Sequence, residues 1–276
     1  MGEAVGCALV TGATGKSGRR VVERLAKRGF SVRPGSRAGD PAFDWERPET
    51  WSPALRGMEV AYVAFQPDVA MPGAPQRIGE FAALATQLGV RRLVLLSGRG
   101  EPEAEACEDA LRVAAREWTI LRCSWFAQNF SEGFLAGAIA AGEVRLPVGA
   151  VPEPFVDLDD VADVAVEALV TDAHVGRCYE LTGPRLLTFS EAVSDIAQVL
   201  GRPLRFTAIS VEAFRAELGA IPLDDEVVNL LTYLFTSVLD GRNAAVHDDI
   251  AAVLGRPARD FRAFATAAFG SREGAR

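Results

Sequence analysis

The chain has 276 residues, 49% of them hydrophobic, and a formal net charge of -8. That is enough apolar material for one large α/β domain, or for a nucleotide-binding domain with a smaller one attached, and it is far from a disordered composition. The acidic balance argues against a nucleic-acid surface and against anionic lipid, and no apolar run approaches the roughly 20 residues of a membrane span.

Residues Ala4 to Val10 form an apolar run with the length and composition of a buried parallel strand. It leads into Val10-Thr11-Gly12-Ala13-Thr14-Gly15-Lys16-Ser17-Gly18, after which Val21, Val22, Leu25 and Ala26 recur at helical spacing until Gly29 stops them. Three glycines in step on a strand-to-helix turn offer backbone N–H groups and the positive end of a helix to a diphosphate. Gly12 allows the tight turn, Gly15 lets the backbone approach the phosphates, and Gly18 lets the helix close on the sheet; Thr14, Lys16 and Ser17 lie between them. A nucleoside-triphosphate loop would need a glycine where Val10 stands, and a plain connecting turn needs one glycine rather than three.

The alternation then repeats. Apolar runs at Phe30–Val32, Val60–Phe65, Leu93–Leu96 and Trp118–Leu121 are separated by helical stretches around Thr50–Arg56, Pro75–Leu88 and Pro102–Arg116. This pattern predicts right-handed βαβ units and a parallel sheet with helices on both faces. Ligands of such sheets bind outside the carboxyl ends of the strands, so Thr11–Gly18, Pro34–Arg37, Phe65–Pro67, Ser97–Gly100 and Cys123–Phe126 form the expected cofactor rim. Beyond about Asn129, a helix is expected over Phe134–Ala141, a strand at Phe155–Leu158, a helix over Asp160–Thr171 and a strand at Cys178–Leu181 that rejoins the main sheet. The chain from Ser190 reads as mostly helical, with Gly201-Arg202-Pro203 and Gly255-Arg256-Pro257 as helix stops. The expected division is a Rossmann domain over 1–128, rejoined by segments near 155–182, and a smaller substrate lobe over 129–276 that covers the rim and makes a cleft.

Other clusters have simple readings. Asp157, Asp159, Asp160 and Asp163 suit the cap and first turn of a helix better than a cation site. Glu101, Glu103, Glu105, Glu108 and Asp109 read as a solvated helix face, with Glu108 or Asp109 the members placed to meet a substrate. Trp125 and Phe126 are candidates for a pocket wall, and Phe130 and Phe134 for core. The four cysteines, Cys7, Cys107, Cys123 and Cys178, show neither metal spacing nor a paired framework, and His174 and His247 are the only histidines. They read as free thiols of a reducing cytosol, with no metal. No signal peptide is recognised, and Gly6 stands where a myristoylation signal needs Ser or Thr, so a cytoplasmic location is expected.

A family resemblance rests on Thr11–Gly18, on Leu95-Leu96-Ser97-Gly98, and on Thr119-Ile120-Leu121-Arg122 with Trp125-Phe126 and Asn129-Phe130. It continues in Pro154-Phe155-Val156-Asp157 with Asp159-Asp160-Val161-Ala162, and in Leu181-Thr182-Gly183-Pro184. Over nearly its whole length the chain resembles the NmrA-like family of the atypical short-chain dehydrogenase/reductase superfamily, near its quinone reductase and isoflavone reductase branches. The resemblance implies an α/β fold, a Rossmann-like doubly wound parallel sheet with a smaller, mostly helical C-terminal lobe. It also implies a cofactor lining: Arg37 beside the adenosine ribose, Asp44 with Trp45 near the adenine, and Phe65 and Gln66 along the ribose and diphosphate. Ser97, Gly98, Cys123, Ser124, Trp125 and Phe126 would approach the nicotinamide. Cys123 replaces a proline common in the family.

One departure bears on chemistry. Ordinary short-chain dehydrogenases use a Tyr-x-x-x-Lys pair, in which lysine lowers the tyrosine pKa. Here Tyr62, Tyr179 and Tyr233 are followed four residues later by Gln66, Gly183 and Ser237, and Lys16 and Lys27 are the only lysines. Where some relatives keep a lone lysine, this chain has Asp109, so Ser97 and Asp109 are the candidates for handling a proton. The expected activity is an NAD(P)H-dependent reductase that passes a hydride to a small flat electrophile, a quinone or an unsaturated carbonyl, since a strongly electrophilic acceptor needs less help from a protein acid. The alternative is a non-catalytic NAD(P)-binding redox sensor. The partner is a small molecule, and the oligomeric state is open. NADP(H) should be preferred: about 20 residues past Gly12 the chain reads Val32-Arg33-Pro34-Gly35-Ser36-Arg37, with no carboxylate before Asp40. Arg37 can grip a 2′-phosphate with parallel charge-assisted bonds, and Ser36 can add a third.

Overall fold

The computed structural model of the chain describes residues 5–270, so Ala4, where the expected first strand begins, lies outside the described residues. Through Cys123 strand and helix alternate: β1 (Cys7–Thr11), α1 (Lys16–Lys27), β2 (Ser31–Gly35), α2 (Trp51–Leu55), β3 (Val60–Val63), α3 (Ala74–Gln87), β4 (Arg92–Gly98), α4 (Pro102–Ala114) and β5 (Glu117–Cys123). Next come α5 (Asn129–Glu132), α6 (Ala136–Ala141), β6 (Glu143–Leu146), α7 (Leu158–Val170), β7 (Arg177–Leu181), α8 (Phe189–Leu200) and β8 (Arg205–Ala208). The chain closes with α9 (Val211–Gly219), α10 (Asp225–Tyr233), a π-helical turn at Leu234–Val238, α11 (Asp249–Leu254) and α12 (Phe261–Phe269).

Two compact units result. The first holds the chain through Cys123, Leu158–Leu181 and Asp249–Arg256; the second holds Ser124–Asp157, Thr182–Asp248 and the chain from Pro257 onward. The division thus falls after Cys123 rather than after residue 128, and α11 returns to the first unit.

In the first unit six parallel strands lie in the order β2-β1-β3-β4-β5-β7. Ala8, Leu9 and Val10 of β1 and every residue of β3 are buried, as strands covered on both faces require. The chain turns to one side of β1 to make β2 and to the other to make β3, so the order reverses at the β1/β3 boundary, the place where doubly wound sheets bind ligands. Val10 pairs with both Pro34 and Tyr62, which brings the carboxyl ends of β1, β2 and β3 level. The acidic cluster at the start of α7 is bound by arginines. Arg24 of α1 reaches Asp159 at 2.7 Å and Asp163 at 2.5 Å, and Arg256 reaches Asp160 at 2.7 Å and Asp163 at 2.6 Å. These carboxylates pin α7 against α1 and the segment after α11.

The second unit packs around Phe130, Phe155, Phe189, Phe235 and Phe261, with Phe155 edge-on to Phe189 at 5.0 Å between ring centroids. A capping box, Thr188 with Glu191, opens α8, and Gly201 at φ +63° closes it. Two expectations need correction here. Phe155–Leu158 is no strand: Val156 makes one isolated bridge to Phe126, and Leu158 already opens α7. Phe134 is 40% exposed, with its ring edge-on to that of Phe235 at 5.8 Å between centroids. The short parallel pair β6–β8 was not legible, because four-residue strands hold too few alternations to stand out.

Candidate active site at the carboxyl ends of the strands

The turn after β1 has the geometry the three glycines imply. Gly12 adopts φ +61°, a conformation that disfavours any side chain, and Gly15 N–H returns to Gly12 O at 2.9 Å. A Cβ on Gly18 would lie closer than 3 Å to the Gly12 carbonyl and Ala13 Cα, so only glycine lets α1 close on the end of β1. Gly15 is the N-cap of α1, with no side-chain cap and no acidic residue in the first turn. The first turn therefore brings no carboxylate of its own against its N–H groups, the setting of an anion site at a helix N-terminus. Gln66 Nε2 lies over this turn, 3.5 Å from where a Cβ on Gly12 would stand and 3.7 Å from that of Gly15. Thr11 ties the floor: its Oγ1 accepts Ala64 N–H at 2.8 Å and donates to Ala64 O at 3.1 Å.

At the end of β2, Arg37 is exposed and makes no hydrogen bond or ion pair among the described residues. Arg33 turns away, donating to the carbonyls of Ala54 and Arg56, both at 2.8 Å. Asp44 is committed to its own loop, where Oδ1 accepts Glu46 N–H at 3.1 Å. Trp45 is 4% exposed: its indole N–H donates to Ala64 O at 3.1 Å, and its ring is boxed by Phe43, Trp51, Phe65 and Phe81. It stiffens the wall behind this loop and offers no open face for an adenine.

Both candidates for proton handling are turned elsewhere. Ser97 is buried and donates its hydroxyl to Glu108 Oε1 at 2.7 Å, so it has no proton left for a substrate oxygen. Asp109 points to solvent, paired with Arg112 at 2.7 Å on the same helix. Glu108 is the fully buried member, clasped by Arg122 through bonds of 2.8 and 2.7 Å. A pair this committed is structural. Cys123 is buried in the β5 ladder, opposite Gly98 on one side and Leu181 on the other, and burial pushes its thiol pKa up, so no strand irregularity follows from the lost proline.

The next residues belong to the second unit. Ser124 Oγ donates to the buried Glu153 at 3.1 Å, and Trp125 packs on Phe189 and Phe235. Phe126 is half-buried and bridges to Val156.

The rim carries one residue expected among the solvated acids. Glu101, the N-cap of α4, is 8% exposed, and Oε2 is buried with no hydrogen-bond partner. Its carboxylate folds back over the end of β4, where a Cβ on Gly98 would collide with Oε1. Burial first, and then Asp68 and Glu103, push its pKa up to about 8. The signal was present in Gly98-Arg99-Gly100-Glu101-Pro102: a helix cap one residue ahead of proline, directly after a rim glycine.

No family model matches the chain. The chain is 35% identical over 279 residues to the (4-alkanoyl-5-oxo-2,5-dihydrofuran-3-yl)methyl phosphate reductase of Streptomyces griseus, covering 92% of this chain and 95% of that protein. It is 30% identical over 291 residues to the NAD(P)H azoreductase of Xenophilus azovorans, covering 95% and 99%. Among solved structures, the Citrobacter sp. triphenylmethane reductase complexed with NADP(H) shares the fold, with a TM-score of 0.75 over 95% of this chain and 99% of that one, at 18% identity.

Proposed function

The chain belongs to the NmrA-like family of atypical short-chain dehydrogenases/reductases, and from that premise we propose that it is an NADPH-dependent reductase of small, flat electrophiles, quinones or unsaturated carbonyls. The observation that carries the reading is the uncapped, acid-free N-terminus of α1 beneath the Gly12–Gly18 turn. This cradle suits a dinucleotide diphosphate. Lys16, Ser17 and Gly18 would hold the diphosphate through first-turn backbone N–H groups, Thr14 and Gln66 would flank it, and Arg37 would take the 2′-phosphate. Phe65, Gly98 and Cys123, at the strand ends of the first unit, would line the course toward the nicotinamide. When bound, the reduced nicotinamide supplies the hydride; the chain orients it and excludes water. The Streptomyces relative is named for a 5-oxo-dihydrofuran substrate, an unsaturated carbonyl, and the azoreductase for an azo acceptor. Both are electrophilic π-systems.

The test is steady-state oxidation of NADPH and NADH against a panel of quinones and cyclic enones. Turnover with at least one acceptor class is the expected result. The lack of any lysine beyond residue 27 favours a second reading, a redox sensor, and NADPH binding without oxidation across the panel would select it.

A further inference from the structure

We propose that Glu101 is the proton donor of this reductase, a neutral carboxyl held at the carboxyl end of β4 that delivers its proton to the substrate atom on which negative charge collects after hydride transfer. The assignment rests on the reductase reading above and supplies the acid that the missing Tyr-x-x-x-Lys pair leaves unassigned.

Place is the first ground. Adjacent strands are about 4.8 Å apart, so the end of β4 lies roughly 10 Å along the rim from the glycine turn, on the side of β1 opposite Arg37. A dinucleotide held with its 2′-phosphate at Arg37 and its diphosphate at the turn would have its nicotinamide half on the β3–β4 side of β1. Glu101 folds over Gly98 at that end. Gly98 leaves room for the carboxyl, and any larger residue would displace it.

Isolation is the second ground. Glu101 is more than nine-tenths buried, its Oε2 has no donor, and no hydrogen bond to its side chain is found among the described residues. A structural carboxylate buried this far is paired, as Glu108 is with Arg122. Among the described residues, the charges that act on the ionisation of Glu101 are of its own sign. Asp68, in the loop after β3, and Glu103, on its own helix, both oppose its ionisation. Asp68 is itself pushed up by burial, with its carboxylate bonded to Ala70 N–H at 2.9 Å. Cys107 packs against the same loop with its thiol donating to Val69 O at 3.5 Å, and it is held neutral by burial and these carboxylates. Arg99, the cation nearest in sequence, is bound to Glu180 at 2.6 Å. Burial beside like charge keeps a carboxylic acid protonated near neutral pH, where it can act as an acid.

The step balances. An unsaturated carbonyl accepts a hydride from NADPH at its β-carbon, the C=C pair moves to the α-carbon and oxygen, and the Glu101 O–H bond breaks as its proton joins that enolate. NADPH is oxidised and the C=C bond reduced, and the Glu101 carboxylate regains a proton from water. A quinone becomes an aromatic hydroquinone anion, a weak base that water protonates without help.

The test uses the full chain and the isosteric Glu101→Gln variant. Infrared difference spectra of the cofactor-free proteins, wild type minus variant, should show a protonated-carboxyl C=O band at pH 7 that disappears near pH 8. NADPH affinity should be unchanged. Turnover of a cyclic enone should fall by about a hundredfold or more in the variant, with loss of the basic limb of the wild-type pH profile, while a quinone changes only a few-fold. No carboxyl band at pH 7 overturns the proposal. An active wild type whose variant keeps both its enone rate and its pH profile overturns the proposal alone. A wild type that binds NADPH and reduces nothing overturns the reductase reading and this assignment with it.

Discussion

Ser97 and Glu108 are joined by a 2.7 Å hydrogen bond between the end of β4 and the middle of α4, and Arg122 of β5 closes on the same carboxylate from the next strand. The three side chains lock one helix to two strands directly behind the rim. Ser97→Ala should therefore cost about 1.5–3 kcal/mol, the scale of a hydrogen bond to a charged group. Arg122→Ala should cost about 3 kcal/mol, because it removes two charge-assisted bonds from the buried Glu108 and leaves that carboxylate with Ser97 and with Arg112 at 3.0 Å. Both should leave NADPH affinity intact. Urea unfolding with parallel binding titrations checks this, and a large rate loss at unchanged stability in Ser97→Ala would return the serine to the chemistry.

The two later glycines of the turn should separate binding from folding. At Gly15 a Cβ meets the Gly12 carbonyl oxygen at 3.1 Å and Gln66 Nε2 at 3.7 Å, so a side chain asks the turn to give only slightly, but that side chain rises where the diphosphate would lie. Gly15→Leu should abolish dinucleotide binding by calorimetry with little change in melting temperature. Gly18→Ala drives a methyl into backbone that cannot move aside, and should lose about 1–3 kcal/mol of stability.

Arg37 has no partner to lose within the described protein, so Arg37→Ala should leave stability unchanged. If it grips a 2′-phosphate, the same substitution should weaken NADPH at least tenfold and NADH hardly at all, since a charge-assisted pair contributes about 1.5–3 kcal/mol. Equal weakening of both cofactors would remove Arg37 from the phosphate.

Stability should fall with rising pH on account of Glu101. Its pKa is raised in the folded protein to about 8, so between the ordinary carboxylate range and pH 8 the native state binds more protons than the unfolded chain. Wild type should lose stability from about pH 5 upward until the group ionises in both states. Glu101→Gln should lack this loss and be the more stable protein at pH 9. Denaturant titrations at pH 5, 7 and 9 read the difference directly; parallel pH dependences in the two proteins would rule out a raised carboxyl.

No tyrosine should prove essential. Tyr62 is fully buried on β3 with its hydroxyl pKa raised by burial, and Tyr179 lies beside His174, their polar atoms 2.8 Å apart. Tyr62→Phe, Tyr179→Phe and Tyr233→Phe should each keep most of the turnover, and a hundredfold loss in any one would identify that tyrosine as a general acid.

Local pattern alone determined the alternation through Cys123, the parallel sheet and the glycine turn, because each rests on periodicity or on backbone conformations only glycine tolerates. Gly12 at positive φ and Gly18 under the Gly12 carbonyl are demands of a single turn, written within seven residues. The direction and environment of side chains at the strand ends belonged to tertiary structure. Ser97 and Glu108 are eleven residues apart and Arg122 a further fourteen, and nothing local tells a serine at a strand end whether it faces a ligand or a buried carboxylate. The same holds for the acids of α4: five stand in nine residues, yet packing buries Glu101 and Glu108 and leaves Asp109 in water. Burial sets the protonation of a carboxyl, and burial is decided by what the rest of the chain brings against it.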